Sequence, residues 1–131
     1  MRFKIKLRKT DRLWTEFIRK RDNYTCQRCG RMYSPDNCRN LGVSHYWSRG
    51  KSENTRFDGE NCIALCTLPC HALWGQDERH LYIEFMKRHL GQKAYDLLEL
   101  RANIYKKRDD KADAIIIKHM LLEKDRRHKA G

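Results

Sequence analysis

Two cysteine pairs, Cys26/Cys29 and Cys66/Cys70, bracket a stretch that holds His45 and Asn61, and His71 directly follows the last cysteine. Cys26-Gln27-Arg28-Cys29-Gly30 has a knuckle spacing whose turn lets two thiolates reach one ion. Cys66-Thr67-Leu68-Pro69-Cys70 is one residue wider and still within reach of that ion. Zinc takes four such ligands tetrahedrally, and its binding energy adds directly to folding. The cysteines therefore read as a closed structural zinc site, the alternative being small buried hydrophobes. The histidines read as a second, open site suited to chemistry on a phosphate. The interval from Cys29 to Cys66 is longer than in a simple finger, so a small β-element must fold between the knuckles. Cys62, within Cys62-Ile63-Ala64-Leu65, suits the inside of a strand, whereas Cys38 lies in a polar stretch as a free thiol.

The charge balance favours a polyanionic partner. The chain of 131 residues carries a formal charge of +12, and residues 1–31 hold 11 Lys/Arg against 3 Asp/Glu, a net of +8. A basic block of this kind suits nucleic acid, against the plainer alternative of a solvated surface. Arg12, Arg19 and Lys20 are the candidate backbone contacts in this region. Six cysteines could instead form an extracellular disulfide set. Against that, no apolar segment follows Met1-Arg2-Phe3-Lys4 as in a signal peptide, and no apolar run approaches a membrane span. The expectation is an intracellular, cytoplasmic chain, where paired cysteines favour metal.

The elements that must position these residues divide by length into one domain with an appended helical part. Residues 1–22 read as a basic arm and helix, 23–76 as the zinc-stapled core, and 77–131 as a helical extension with a basic tail. Phe3, Ile5 and Leu7 alternate with basic residues, as in a strand or an arm that orders on contact. Thr10 is a candidate N-cap for a helix to Asp22, with Leu13, Trp14, Phe17 and Ile18 on one face. Leu41 to Tyr46 and Asn61 to Leu65 read as short strands joined by a polar loop. From Asp77 the pattern turns helical. One helix runs to Leu90 with Tyr82, Phe85, Met86 and His89 in a stripe and Gly91 as its C-cap. A second runs from Gln92 to Lys107, with Ala94, Leu98, Ala102 and Tyr105 aligned. The last segment, Ala112 to Arg127, contains Ile115-Ile116-Ile117, whose β-branching weakens the case for helix.

In this order and spacing, Cys26-x2-Cys29, Val43-Ser44-His45-Tyr46, Asn61-Cys62-Ile63-Ala64-Leu65-Cys66 and Cys70-His71 resemble the HNH endonuclease family. The stretches His45-Tyr46-x2-Arg49-Gly50, Arg56-Phe57-x3-Asn61 and Cys66-x3-Cys70-His71 are similar to the phage NinG-type recombination nucleases and other phage HNH proteins. The likeness spans residues 12–100. It implies an α+β fold, a ββα-metal core with an N-terminal helix and a C-terminal helical extension. It also implies a metal-dependent DNA endonuclease, acting in the host cytoplasm if phage-encoded, with a homodimer or a recombination or packaging partner open. His45 matches the general base, Asn61 the residue whose amide braces the β-loop, and His71 a ligand of catalytic Mg²⁺ or Mn²⁺. A histidine ligand would also tolerate Co²⁺ or Ni²⁺.

One position departs from that pattern. Where most relatives carry Asp or His as the second ligand of the catalytic metal, this chain has Ser44. Ser44 would act through water, or Glu53, Asp58 or Glu60 would supply the charge, or His45 would itself be the ligand. Arg49 and Arg56 flank the site and suit phosphate oxygens, while Trp47 and Trp74 border it as packing or stacking residues. The rival readings are a non-catalytic zinc module that binds DNA, and an adaptor that docks through its helical C-terminal half.

Overall fold

The computed structural model describes residues 9–49, 52–104 and 110–130, with the backbone alone given for 125–130. The alternating Phe3/Ile5/Leu7 segment, Gly50 and Tyr105 lie outside the described residues.

The first helix, α1 (Lys9–Arg21), forms where Trp14, Phe17 and Ile18 recur at helical spacing, and all three are buried. It starts one residue before Thr10, so Thr10 is not its cap. Thr10 is fully buried and its hydroxyl donates instead to the Asp110 carbonyl. A two-stranded antiparallel sheet follows, with β1 (Leu41–His45) against β2 (Cys62–Cys66). Leu41 stands opposite Cys66 and His45 opposite Cys62. Every residue of β2 is buried, as its Cys-Ile-Ala-Leu-Cys sequence requires. Trp14 donates its indole N–H to Cys62 Sγ at 3.3 Å, fixing α1 across the strand. Burying a side chain such as Ile18 or Leu65 contributes roughly 1.5–3 kcal/mol each.

The β2 edge of this small sheet is not left bare. On the β2 side, Arg21 donates to the Cys62 carbonyl at 2.6 Å, Ala64 N donates to the Asp22 carboxylate at 2.8 Å, and Gln27 N donates to the Ala64 carbonyl at 2.9 Å. On the β1 side, the Leu41 carbonyl accepts from Arg19 at 2.8 Å.

The loop between the strands carries two short helical turns, Glu53–Thr55 and Gly59–Asn61. After β2 come two wide helical turns, Thr67–His71 and Leu73–Asp77. Then follow α2 (Arg79–Leu90), α3 (Gln92–Ala102) and α4 (Asp110–Ala130). Gly91 joins α2 to α3 with a φ of 85°, a conformation that an L side chain resists. The buried residues of α2 are Tyr82 and Met86, while His89 is exposed and stacks on Phe85. Helix α3 buries Tyr95, Leu98 and Ala102 and ends at Ala102 rather than at Lys107. Helix α4 keeps its geometry through the isoleucine run because Ile117 and Leu121 are buried and the helix packs on α1. Ile115 and Ile116 remain 70% and 57% exposed, so the run divides between core and surface. The architecture is α+β, a single hairpin wrapped by helices. No helix among the described residues is long and apolar enough to cross a membrane.

Candidate functional site

Four thiols meet where the knuckle after α1 faces the end of β2. The Sγ atoms of Cys26, Cys29, Cys66 and Cys70 lie within 4.8 Å of one another, and those of Cys29 and Cys66 are 3.6 Å apart. A tetrahedral zinc with Zn–S bonds of ~2.3 Å sets its sulfurs ~3.8 Å apart, so the cluster could hold such an ion. Gly30, at a φ of 77°, reverses the chain after Cys29, and its N–H closes on the Cys26 carbonyl at 2.9 Å. N–H and O–H donors surround the sulfurs. Cys66 N and Cys29 N approach Cys26 Sγ at 3.3 and 3.5 Å, Tyr33 donates its hydroxyl to Cys66 Sγ at 3.1 Å, and Arg28 reaches Cys70 Sγ at 3.4 Å. Burial pushes the Cys26 thiol up, but the N–H groups of Cys29, Cys66 and Arg28 together outweigh it and bring its pKa to about 7. Burial drives Cys70 up to about 12. Four crowded thiolates are sustained only with a cation between them, which suits a metal site. Cys62 lies apart, wholly buried, its thiol raised to about 12 by that burial. Cys38 is a half-buried free thiol.

The second site is a cleft of about 410 Å³. His45 from the end of β1 and His71 from the turn after β2 both line it, with Ser44, Trp47, Arg79 and Tyr82. His45 Nε2 lies 2.9 Å from the Arg56 carbonyl. A carbonyl only accepts, so the neutral ring carries its proton on Nε2 and leaves the Nδ1 lone pair free. Burial, with the Arg49 guanidinium next in effect, lowers the His45 pKa to about 4. The imidazole is therefore neutral at physiological pH. His71 is lowered for the same two reasons, burial first and Arg49 second. Arg49 thus acts on both rings, and it is held from behind by Asp11 at 3.9 Å.

Asn61 is fully buried beneath this cleft. Its side-chain oxygen accepts from Trp47 N at 2.8 Å, and its Nδ2 donates to the Trp47 and Thr55 carbonyls at 3.0 Å each. One amide therefore ties the chain just after β1 to the loop before β2. Ser44 is buried, its hydroxyl 2.9 Å from that of Tyr82. Tyr46 is buried among Tyr82, Tyr95 and Arg79. Trp74 stacks on Tyr82, its centroid 4.9 Å away.

Several charged residues stand elsewhere than the sequence suggested. Arg56 is not available to a phosphate. Its side chain is 4% exposed and paired with Asp11 in two bonds of 2.9 and 2.6 Å, with Glu53 at 3.4 Å. Arg19 is turned into the fold toward the Leu41 carbonyl, and Lys20 lies 3.9 Å from Glu16. Arg12 is exposed. Glu53, Asp58 and Glu60 do not line the cleft, since Asp58 and Glu60 pair with Arg101 at 2.7 and 2.9 Å. No Asp or Glu lines it among the described residues. The four cysteines are the one group there of three or more His, Cys, Asp or Glu gathered as for a metal.

Three residues at the site went unnoticed in the sequence. Asp11 and Arg79 carry no local motif that marks them, and Tyr82 read as part of a helical stripe. No family model, no curated protein and no solved structure matches this chain.

Proposed function

We propose that this chain is a DNA endonuclease of the HNH type, its core stapled by a zinc ion on Cys26, Cys29, Cys66 and Cys70. The observation that carries the reading is the pairing of His45 and His71 in one cleft, with Nε2 of His45 spent on the Arg56 carbonyl. Nδ1 then takes a proton from water as the water oxygen attacks phosphorus. The bond from phosphorus to the 3′-oxygen breaks, leaving 5′-phosphate and 3′-hydroxyl ends, and the departing oxygen takes a proton from solvent. Arg49, whose charge lowers the pKa of both imidazoles, would add positive potential where charge develops on the phosphate. Asn61 fixes the loop that carries the Arg56 carbonyl and so aims the base. Exposed basic residues such as Arg12 add backbone affinity that weakens steeply with salt.

The donor set of the cleft does not fit a resident Mg²⁺, which prefers carboxylate and water oxygens. The His71 imidazole suits Mn²⁺, Co²⁺ or Ni²⁺ better, and such an ion, when bound, would neutralise charge on the phosphate. The test is plasmid incubated with each cation, comparing the wild type with His45→Ala. Nicking by the wild type that disappears in the variant supports the assignment. Equal nicking by both overturns it.

A second reading has a specific observation in its favour. The absence of any carboxylate from the cleft's described lining suits a zinc-stapled module that binds DNA or serves as a phage recombination or packaging adaptor without cutting. Tight DNA binding with no cleavage under any of these cations would select it.

A further inference from the structure

Arg79 is the first residue of α2 and lines the cleft with His45 and His71. Its Nη2 donates to the Tyr46 carbonyl at 2.8 Å, and its guanidinium carbon lies 4.3 Å from the Tyr46 ring centroid and 5.3 Å from that of Tyr82. The side chain is thus held by one hydrogen bond and two aromatic faces, an ordered placement for a residue that otherwise carries much rotamer freedom. What it lacks is a counter-ion. Arg21, Arg28, Arg56 and Arg101 each meet a carboxylate, at 2.9, 2.9, 2.6 and 2.7 Å. Among the described residues, no carboxylate pairs with Arg79 and none lines its cleft.

The backbone adds to this imbalance. The first turn of α2 has no acidic residue, and Glu78 just before it is turned to Arg28. A cation at a helix N-terminus stands against the helix dipole, and an anion there relieves both. Trp47, on the same cleft, has an indole N–H shielded from water with no acceptor among the described residues. The cleft is therefore rich in donors and poor in negative charge.

We propose that Arg79 grips a phosphate of the nucleic acid backbone, so that the cleft binds a phosphodiester through its own side chains before any divalent cation arrives. This deepens the nuclease reading and rests on it for the identity of the polymer. Tyr46 and Tyr82 hold the guanidinium plane, leaving Nη1 and Nε to meet phosphate oxygens. In this role Arg79 is a binding residue and takes no part in moving a proton.

The experiment uses the full zinc-loaded chain and a short labelled DNA duplex, without added divalent cation, over a series of salt concentrations. Arg79→Gln should weaken binding and flatten the dependence of log affinity on log salt by about one unit, the signature of one lost phosphate contact. Arg79→Lys should keep the wild-type slope. In plasmid cleavage with Mn²⁺, Arg79→Gln should raise KM with kcat held. A second measurement needs no variant: phenylglyoxal should modify Arg79 in the free protein and be blocked by the duplex. An unchanged salt slope in a folded Arg79→Gln protein, or unchanged labelling of Arg79 in the presence of the duplex, overturns the proposal. If the wild type cuts no plasmid with any of the cations, the nuclease reading falls, and the slope and the labelling still decide the role of Arg79.

Discussion

Asp11 and Arg56 stand 45 residues apart in the chain and meet in a buried two-bonded ion pair, and the carbonyl of that same Arg56 holds His45. The first turn of α1 therefore reaches the imidazole through a single residue. Removing one partner of a buried pair strands the other charge at a cost of about 3–5 kcal/mol. Asp11→Asn should lower stability to urea by an amount in that range. Replacing both residues with apolar ones, Asp11→Leu with Arg56→Met, should restore most of the loss. Equal destabilisation by the single and the double substitution would show that the pair itself is not what matters.

The neutral state of His45 makes a pH-dependent contribution whose sign is fixed. Its pKa is about 4 in the fold and about 6.5 in an unfolded chain. Between those values the unfolded state binds more protons, so stability rises with pH across the window. The neutral ring costs the fold nothing above about pH 6.5, and below that it destabilises the fold progressively, by about 3 kcal/mol at pH 4. Denaturant midpoints measured from pH 7 to pH 4 should fall more steeply in the wild type than in His45→Gln. The ring resonances of His45 should titrate near pH 4, and a midpoint near 6.5 would refute the buried neutral imidazole.

Zinc analysis of purified protein should find one ion per chain. Cys29, the exposed member of the four, is the route by which a chelator gains access. Cys29→Ser should remove a charged ligand and collapse the melting transition rather than lower activity alone. An unaltered melting temperature would exclude a structural ion.

Ser44 and Tyr82 share a hydrogen bond on the wall of the cleft, so a carboxylate at position 44 would face the same space. Ser44→Asp should bring Mg²⁺ binding into a range that calorimetry detects, because a hard cation gains an oxygen ligand there. Tyr82 can donate its hydroxyl to the new carboxylate, which limits the cost of burying it. If the heat of Mg²⁺ binding does not change, position 44 does not contact the cation.

The sequence was most informative where the chemistry is local. The spacing of Cys26 and Cys29, the apolar face of α1 and the uniform apolar run of β2 each depend on neighbours within a few residues. The ion pair between Asp11 and Arg56 does not, and charged residues default to the surface until a distant partner is known. Tyr82 fitted an apolar stripe, and nothing local marks the hydroxyl that reaches Ser44. The isoleucines of α4 illustrate packing overriding propensity, since burial of Ile117 and Leu121 outweighs the β-branched run. Thr10 looked like a cap, but its hydroxyl serves the start of a helix 100 residues away.

The closed β2 edge of the hairpin restricts how this protein can meet another molecule. With the Cys62 carbonyl taken by Arg21, the Ala64 N–H by Asp22 and the Ala64 carbonyl by the knuckle, an extended peptide finds no free ladder to join along that strand. Amyloid-like stacking through the same edge is opposed by the same contacts.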